Sequence, residues 1–241
     1  ELDDLISLKQ FSSKLGILID FGIIVSQQVI DYFENGIINS HFSLLPQWRG
    51  ADPITFAILS GQQTTGVSLM LLTAGLDEGP ILCQAECEIT ATTDNQQLSE
   101  ELIYLSDALL AASIPPYLNG DMIPIDQETA CQLLGNKYSP TYSRKLDKND
   151  GQLDWEKPAA VLEREIRAFH SWPKSFTKLN GTEVIIKEAA VSELAGKPGE
   201  YIHDKKSLIV YCGENALEIK SIQPSGKKEM PVQAFLAGYK L

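Results

Sequence analysis

Residues 36–53 read GIINSHFSLLPQWRGADP, and this stretch decides how the first half of the chain is interpreted. An asparagine–glycine turn signal leads into a predicted strand over 37–41, and a loop containing proline and glycine follows it. Pro53 then stands where a helix is expected to begin. Asn39 and His41 are two residues apart near the end of the strand, so their side chains should project from the same face.

On both sides of this stretch, predicted strands alternate with predicted helices. Further strands are expected at Leu15–Ile19, Gly66–Leu72 and Ile81–Thr90, the last of them as an edge or antiparallel strand because its pattern alternates. Further helices are expected at Val25–Phe33, Pro53–Leu59 and from Thr93-Asp94 to about Leu110, before Pro115-Pro116. Such alternation predicts an α/β domain built on a mostly parallel sheet.

The pattern changes after Asp126. Residues 127–150 are polar and are predicted to form a linker between a first domain over 1–126 and a second over 151–241. The second domain is expected to contain one helix and several short strands. Its closely spaced turn signals are typical of a small β-barrel.

Charged residues are distributed unevenly between the two parts of the chain. The net charge is −12, but residues 1–150 carry 7 basic against 20 acidic side chains, whereas residues 151–241 carry 13 against 12. This division favours two domains with different partners, although a solvated acidic face would explain it as well.

The bulk composition excludes several classes of protein. No apolar run approaches the roughly 20 residues of a membrane helix, and no secretory signal is visible. The four cysteines form no repeated CxxC pattern, so neither a disulfide framework nor a metal site is expected. We interpret them as reduced thiols of a cytoplasmic protein.

Asn39 and His41 are the first candidates for catalysis. Ligand crevices in open α/β sheets lie beyond the carboxyl ends of strands, where this pair is expected. There an amide could donate to a developing oxyanion while an imidazole relays a proton. Asp77, in the loop 75–79, is expected to orient His41 and raise its pKa. The alternative is a histidine with a purely structural role.

Four short motifs in order resemble the signature of folate-dependent formyltransferases: Asn39-x-His41, Ser43-Leu44-Leu45-Pro46, Trp48-Arg49-Gly50 and Gly75-Leu76-Asp77-x-Gly79. The resemblance implies a formyltransferase-type Rossmann-like sheet and 10-formyltetrahydrofolate as co-substrate, with no metal. It implies that Asn39 holds the formyl oxygen, that His41 manages the proton and that Asp77 supports His41. The loop from Ser43 to Pro46 would lie against the folate.

Later motifs resemble the C-terminal module of methionyl-tRNA formyltransferases: Tyr142-Ser-Arg144-Lys145-Leu146, Asp154-Trp155, Glu163-Arg164-x-Ile166-Arg167-Ala168-Phe169, Trp172-Pro173 and Gln223-Pro224-x-Gly226-Lys227-Lys228-x-Met230. In that family the module is similar to an oligonucleotide-binding (OB) barrel and is implied to help hold initiator tRNA. The candidate contacts to tRNA are Arg49, Arg164, Arg167, Lys187, Lys227 and Lys228. Trp155 and Trp172 are expected to be packing residues.

The N-terminal end of this chain differs from the pattern of the family. The family has strands and helices before the segment that matches Leu15 onward, and the chain begins at Glu1 rather than at methionine. We therefore expect a fragment whose sheet lacks its first strands and has an open edge with uncovered apolar surface. Asp20 also replaces a small residue of the family pattern.

The resemblance predicts a cytoplasmic, monomeric enzyme that formylates the α-amino group of methionyl initiator tRNA in translation initiation. An amino-sugar nucleotide N-formyltransferase is an alternative that would use the same three catalytic residues. A hydrolase that passes the formyl group to water, and a non-catalytic remnant that binds folate or tRNA, are the others.

Overall fold

The computed structural model of the protein describes residues 8, 11–22, 25–133 and 139–241. The polar stretch 1–13, for which the sequence predicts a short helix-like lead, lies mostly outside these residues. The chain divides into two compact units. The first comprises Glu1–Ala57, Gln62–Thr90 and Leu98–Lys145; the second comprises Ile58–Gly61, Ala91–Gln97 and Leu146–Leu241.

The first unit contains a mixed sheet. Its strands are β1 (Gly16–Ile19), β2 (Ile37–His41), β3 (Arg49–Gly50), β4 (Thr64–Leu71), β5 (Ile81–Glu88) and β6 (Tyr142–Ser143). Four of them form a sheet in the order β1-β2-β4-β5, and β3 pairs with β6 separately. β1 runs parallel to β2, whereas the β2–β4 and β4–β5 pairs are antiparallel.

The α/β class is therefore confirmed, but the prediction of a mostly parallel sheet is wrong for the strands described. A parallel neighbour needs a crossover connection, whereas a short loop joins β4 to β5 and makes them an antiparallel pair. β4 lies between β2 and β5, and its residues 65–70 are all buried. β1 pairs only with β2 among the described strands, and its Ile17 and Ile19 are 46% and 48% exposed.

In the described part of the chain, four helices accompany this sheet: α1 (Gln27–Tyr32), α2 (Pro53–Ser60), α3 (Asn95–Leu118) and α4 (Gln127–Leu133). α3 continues through Pro115 and Pro116, where the sequence predicts that it ends. Each proline removes an N–H donor and crowds the preceding turn, although its φ is near the helical value; both lie in the last turn, and the helix ends at Leu118 directly after them. The carbonyl of Pro115 still accepts the N–H of Asn119 at 3.1 Å.

The range predicted to be a linker is partly structured. It contains α4, β6 and a 3-10 turn at Lys148–Gly151. Gln127 and Ala130 on α4 are buried. Residues 134–138 lie outside the described part of the chain.

The second unit is an antiparallel sheet with two helices. Its elements are α5 (Ala159–Ala168), β7 (Ser175–Leu179), β8 (Thr182–Ser192), β9 (Tyr201–His203), β10 (Leu208–Tyr211), β11 (Ala216–Pro224), β12 (Met230–Pro231) and α6 (Val232–Gly238). The strand order is β7-β8-β11-β10-β9, and β12 also pairs with β11. Leu162 of α5 and Phe235 of α6 pack with the buried face of the sheet. In the described residues the two end strands, β7 and β9, do not pair with each other, so strand pairing does not close the sheet into a barrel.

Within the described ranges, no helix is long and apolar enough to cross a membrane. The same part of the chain contains no group of three or more histidine, cysteine, aspartate or glutamate side chains arranged to hold a metal ion.

Candidate active site

Asn39, His41 and Asp77 lie together in the first unit. β2 places Asn39 and His41 on one face, as their spacing predicts. The Asn39 Nδ2 atom donates to Asp77 Oδ1 at 3.4 Å. The His41 Nδ1 atom lies 3.8 Å from Asp77 Oδ2. One carboxylate therefore contacts both the amide and the imidazole.

The hydrogen bonds of His41 determine which ring nitrogen carries the proton. His41 is 6% exposed, and its Nε2 atom lies 2.8 Å from the carbonyl oxygen of Trp48. A carbonyl can only accept, so Nε2 donates. In the neutral imidazole Nδ1 is then unprotonated, and this nitrogen faces Asp77.

Burial determines the direction in which the pKa of His41 is shifted. Removal of the ring from water disfavours its charged form and lowers the pKa below the ordinary value; the nearby Asp77 carboxylate and the Trp48 carbonyl oppose this effect without overcoming it. The expectation that Asp77 raises the His41 pKa is correct for that one interaction but wrong for the net shift. The neutral ring is the favoured state before reaction.

Asp77 is held by the backbone around it. Its Oδ2 atom accepts the Gly50 N–H at 2.8 Å. Gly50 has a φ of 101°, and a Cβ atom there would lie 2.5 Å from the Ser143 carbonyl oxygen. The glycine is therefore required both by its backbone conformation and by the close approach of the neighbouring strand.

Gln127 on α4 anchors the Asp77 loop from the other side. Its Nε2 atom donates to the carbonyls of Asp77 and Gly79 at 2.8 and 3.0 Å. Its Oε1 atom accepts from Arg49 Nε and Nη2 at 3.2 and 2.7 Å. Arg49, predicted as a tRNA contact, is thus hydrogen-bonded inside the first unit.

Sequence reasoning missed Gln127 because it assigned residues 127–150 to a linker. A signal for the helix was present in the aspartate that precedes it. Asp126 Oδ1 accepts the backbone N–H of Thr129 at 2.8 Å, which is the contact of an N-cap residue.

The predicted folate loop is tightly packed. Ser43, Leu45 and Pro46 are buried, and Leu44 is half-buried. Three hydrogen bonds fix its backbone: Ser68 Oγ donates to the Ser43 carbonyl at 2.6 Å, Leu45 N–H donates to Ser68 Oγ at 2.9 Å, and Gln84 Nε2 donates to the Leu45 carbonyl at 2.9 Å. Leu44 and the backbone are therefore the parts of the loop best placed to meet a ligand.

Two of the predicted tRNA contacts in the second unit have protein partners. Arg167 forms two hydrogen bonds with the Glu163 carboxylate, at 2.6 and 3.0 Å, and a third with the Thr93 carbonyl at 2.8 Å. Arg164 Nε donates to the Leu59 carbonyl at 3.2 Å. Both guanidinium groups are therefore hydrogen-bonded within the protein, and their contact with tRNA stays a prediction.

The predicted lysines differ from one another. Lys187 Nζ donates to the His170 carbonyl at 3.1 Å, and burial lowers the pKa of Lys187. Lys227 and Lys228 are exposed and remain available to an anionic partner.

The two tryptophans of the second unit also differ. Trp155 packs against the core and donates from Nε1 to Thr177 Oγ1 at 3.2 Å, as expected for a packing residue. Trp172 is 55% exposed, so the expectation that it is a packing residue is wrong.

Comparison with known proteins gives matches over most of the chain. Residues 3–114 match the family model described as formyl transferase, and residues 145–240 match the model described as formyl transferase, C-terminal domain. The chain is 36% identical over 241 residues to the methionyl-tRNA formyltransferase of Pseudoalteromonas translucida, an alignment that covers 98% of this chain and 73% of the relative.

Solved structures share the fold. HypX from Aquifex aeolicus in complex with tetrahydrofolic acid matches with a TM-score of 0.70 and 19% identity, over 97% of this chain and 40% of HypX. Methionyl-tRNA formyltransferase from Clostridium thermocellum matches with a TM-score of 0.59 and 17% identity, over 88% of this chain and 85% of that chain. At these identities the likeness establishes the fold alone.

Proposed function

The chain belongs to the methionyl-tRNA formyltransferase family, and we propose that it transfers the formyl group of 10-formyltetrahydrofolate to the α-amino group of methionyl initiator tRNA in translation initiation. The observation that carries the proposal is the convergence of an amide and a buried imidazole, both in the C-terminal half of β2, with the carboxylate of Asp77. No described residues form a metal cluster, and the proposed chemistry needs no metal.

His41 is assigned the role of general base. The attacking amine forms a bond to the formyl carbon and must lose a proton. Because Nε2 donates to the Trp48 carbonyl, Nδ1 is the nitrogen that accepts this proton. The lowered pKa of His41 keeps that nitrogen unprotonated at neutral pH.

Asn39 is assigned the role of oxyanion donor. Attack converts the formyl carbonyl into a tetrahedral oxyanion, which needs a fixed hydrogen-bond donor. One N–H of the Asn39 amide is directed to Asp77 Oδ1, which leaves the other for the formyl oxygen. As the oxyanion collapses, the bond from carbon to the folate nitrogen breaks, and that nitrogen takes up the proton held by His41.

Asp77 is assigned an electrostatic and orienting role. Its Oδ2 atom is 3.8 Å from the nitrogen that becomes protonated, so it stabilises the imidazolium formed during attack. The same oxygen accepts the Gly50 N–H, and this bond fixes the carboxylate before the substrate binds.

Folate is assigned to the loop Ser43–Pro46, with Leu44 as its most accessible side chain. Tetrahydrofolic acid is bound in the HypX structure of the same fold. The second unit is proposed to act as an OB-like surface for tRNA, on which Lys227 and Lys228 are the freest of the predicted cations. A monomer in the cytoplasm is part of the proposal, and the four unpaired cysteines are compatible with it.

The test is formyl transfer from radiolabelled 10-formyltetrahydrofolate by the purified chain. Separate reactions contain methionyl initiator tRNA, an amino-sugar nucleotide, or no acceptor. We expect label on tRNA alone. Label on the sugar would identify the amino-sugar alternative, and release of labelled formate without acceptor would identify a hydrolase. Folate binding without any transfer would identify a non-catalytic remnant.

A further inference from the structure

The second unit contains a cavity that the proposed chemistry does not use. Its volume of about 760 Å³ lies within the range of sites that hold small organic groups. All of its lining residues come from the second unit, and they include three lysines, Lys148, Lys174 and Lys178, one carboxylate, Glu183, and two aromatic residues, Trp155 and Phe176.

The lining is positively charged. The one carboxylate among the lining residues, Glu183, lies 3.5 Å from Lys178 Nζ. Among the residues that the structure describes, neither Lys148 nor Lys174 has a carboxylate partner. The lining therefore includes two lysines without a carboxylate partner, a composition that suits an anion.

Lys174 adopts a backbone conformation that its side chain does not favour. Its φ is 72°, in the left-handed region where glycine is favoured. Its N–H donates to the Phe169 carbonyl at 3.0 Å, and its own carbonyl packs against Gly151 so closely that a Cβ atom there would collide with it. A lysine kept in such a conformation at a cavity wall suggests that its ammonium group has a function.

The remaining lining suits a flat aromatic group. Trp155 and Phe176 supply rings, and the Gln152 and Gln223 amides and the Ser225 hydroxyl supply polar groups. Rings that stack and cations that neutralise phosphate are the two elements by which proteins hold unstacked nucleotides.

We propose that this cavity holds one unstacked nucleotide of the RNA substrate, with its base against Phe176 and Trp155 and its phosphate on Lys174. The proposal rests on the proposed function, because it takes tRNA to be the partner. It assigns RNA binding to residues other than the six predicted from the sequence.

Lys174→Gly gives a sharp test because the substitution relieves backbone strain while it removes the charge. The assay is fluorescence anisotropy of fluorescein-labelled initiator tRNA, titrated with the whole chain at several salt concentrations. We expect the Kd to rise about tenfold, as for the loss of one charge-assisted contact. The slope of log K against log salt should become shallower by about one. The melting temperature should not fall.

Two further variants separate charge from stacking. Phe176→Leu keeps apolar volume but removes the ring, so it should raise the Kd about fivefold or more without changing the salt slope. Lys205→Ala removes an exposed lysine that does not line the cavity, and it should change neither quantity by more than about twofold.

An unchanged Kd and salt slope for Lys174→Gly would overturn the cavity site, as would failure of the unaltered chain to bind tRNA. Millimolar AMP should displace labelled tRNA less effectively from Lys174→Gly than from the unaltered chain, and equal displacement from both would also contradict the cavity site. Formyl transfer measured on the same preparation separates the two proposals. Lys174-dependent binding without transfer would leave the cavity site standing and refute the proposed activity.

Discussion

Replacing Gln127 by leucine tests whether α4 is part of the active-site scaffold. Gln127 is 5% exposed and makes four contacts, two to the Asp77 and Gly79 carbonyls and two to the Arg49 guanidinium. Leucine keeps comparable volume in this position but can neither donate nor accept. The buried Gly79 carbonyl, the part-buried Asp77 carbonyl and the part-buried Arg49 guanidinium would then lose a partner.

The expected loss follows from these contacts. Each bond to a neutral carbonyl contributes about 1 kcal/mol net, and the charged contact to Arg49 contributes about 1.5–3 kcal/mol. The free energy of unfolding of the first unit should therefore fall by about 4 kcal/mol. Because the two carbonyls belong to the loop that carries Asp77, a looser loop should also lower kcat by about ten- to a hundredfold.

The assay is urea unfolding together with kcat and KM for formyl transfer. Gln127→Glu retains the acceptor for Arg49 but places a carboxylate oxygen against both carbonyls, so it should lower kcat with a smaller loss of stability. Gln132→Leu on the same helix is the matched control. Its amide makes one exposed contact of 3.5 Å to Glu128, and its loss should stay within about 0.5 kcal/mol. Stability and kcat of Gln127→Leu equal to those of this control would refute the reasoning.

Three further predictions concern His41 and Gly50. His41→Ala should lower kcat by about 10²- to 10⁴-fold in single-turnover transfer, whereas His203→Ala, an exposed histidine of the second unit, should leave kcat unchanged. Because burial lowers the pKa of His41, the unfolded chain binds more protons than the folded chain below about pH 6.5. The contribution of His41 to stability should therefore be full above that pH and should be lost as the pH falls toward the folded pKa. Unfolding measured across pH should show a smaller loss in His41→Asn. Gly50→Ala should destabilise by about 2–3 kcal/mol in urea unfolding, because it adds a clash with the Ser143 carbonyl to a strained φ. Gly36→Ala, with a φ of 72° but no atom closer than 3.7 Å, should lose about 1 kcal/mol, and equal losses at both positions would contradict the clash.

Local sequence pattern predicted the elements of the first unit better than their arrangement. The strand at 37–41 and the helix at 53–60 were predicted to within a residue, because hydrophobic spacing and a helix-start proline are local signals. The alternating pattern of residues 81–90 indicated an edge or antiparallel strand, and β5 is both among the described strands. The antiparallel direction of β4 against β2 was not predicted, because it depends on how the connecting segments travel in space.

The candidate site shows the same division between local and tertiary information. The spacing of Asn39 and His41 placed both on one face, and the structure brings Asp77 to them. The sign of the His41 pKa shift could not be deduced, because the sequence reveals the nearby charge but not the depth of burial. Gln127 was missed because residues 127–150 were assigned to a linker. Even with its helix predicted, the two backbone carbonyls and the Arg49 guanidinium that it contacts come from distant parts of the chain, and local pattern does not reveal such contacts.

In the proposed mechanism, burial and Asp77 act on His41 at different stages. Burial stabilises the neutral ring and so supplies a free base nitrogen before attack, but the same burial disfavours the imidazolium that attack produces. Asp77, 3.8 Å from Nδ1, offsets that penalty only when the proton has arrived. A carboxylate that serves the charged state must be in place beforehand, since reorientation during the reaction would add to the barrier. The Gly50 N–H and the Gln127 amide provide this placement, and this is why residues that never touch the substrate are expected to affect kcat.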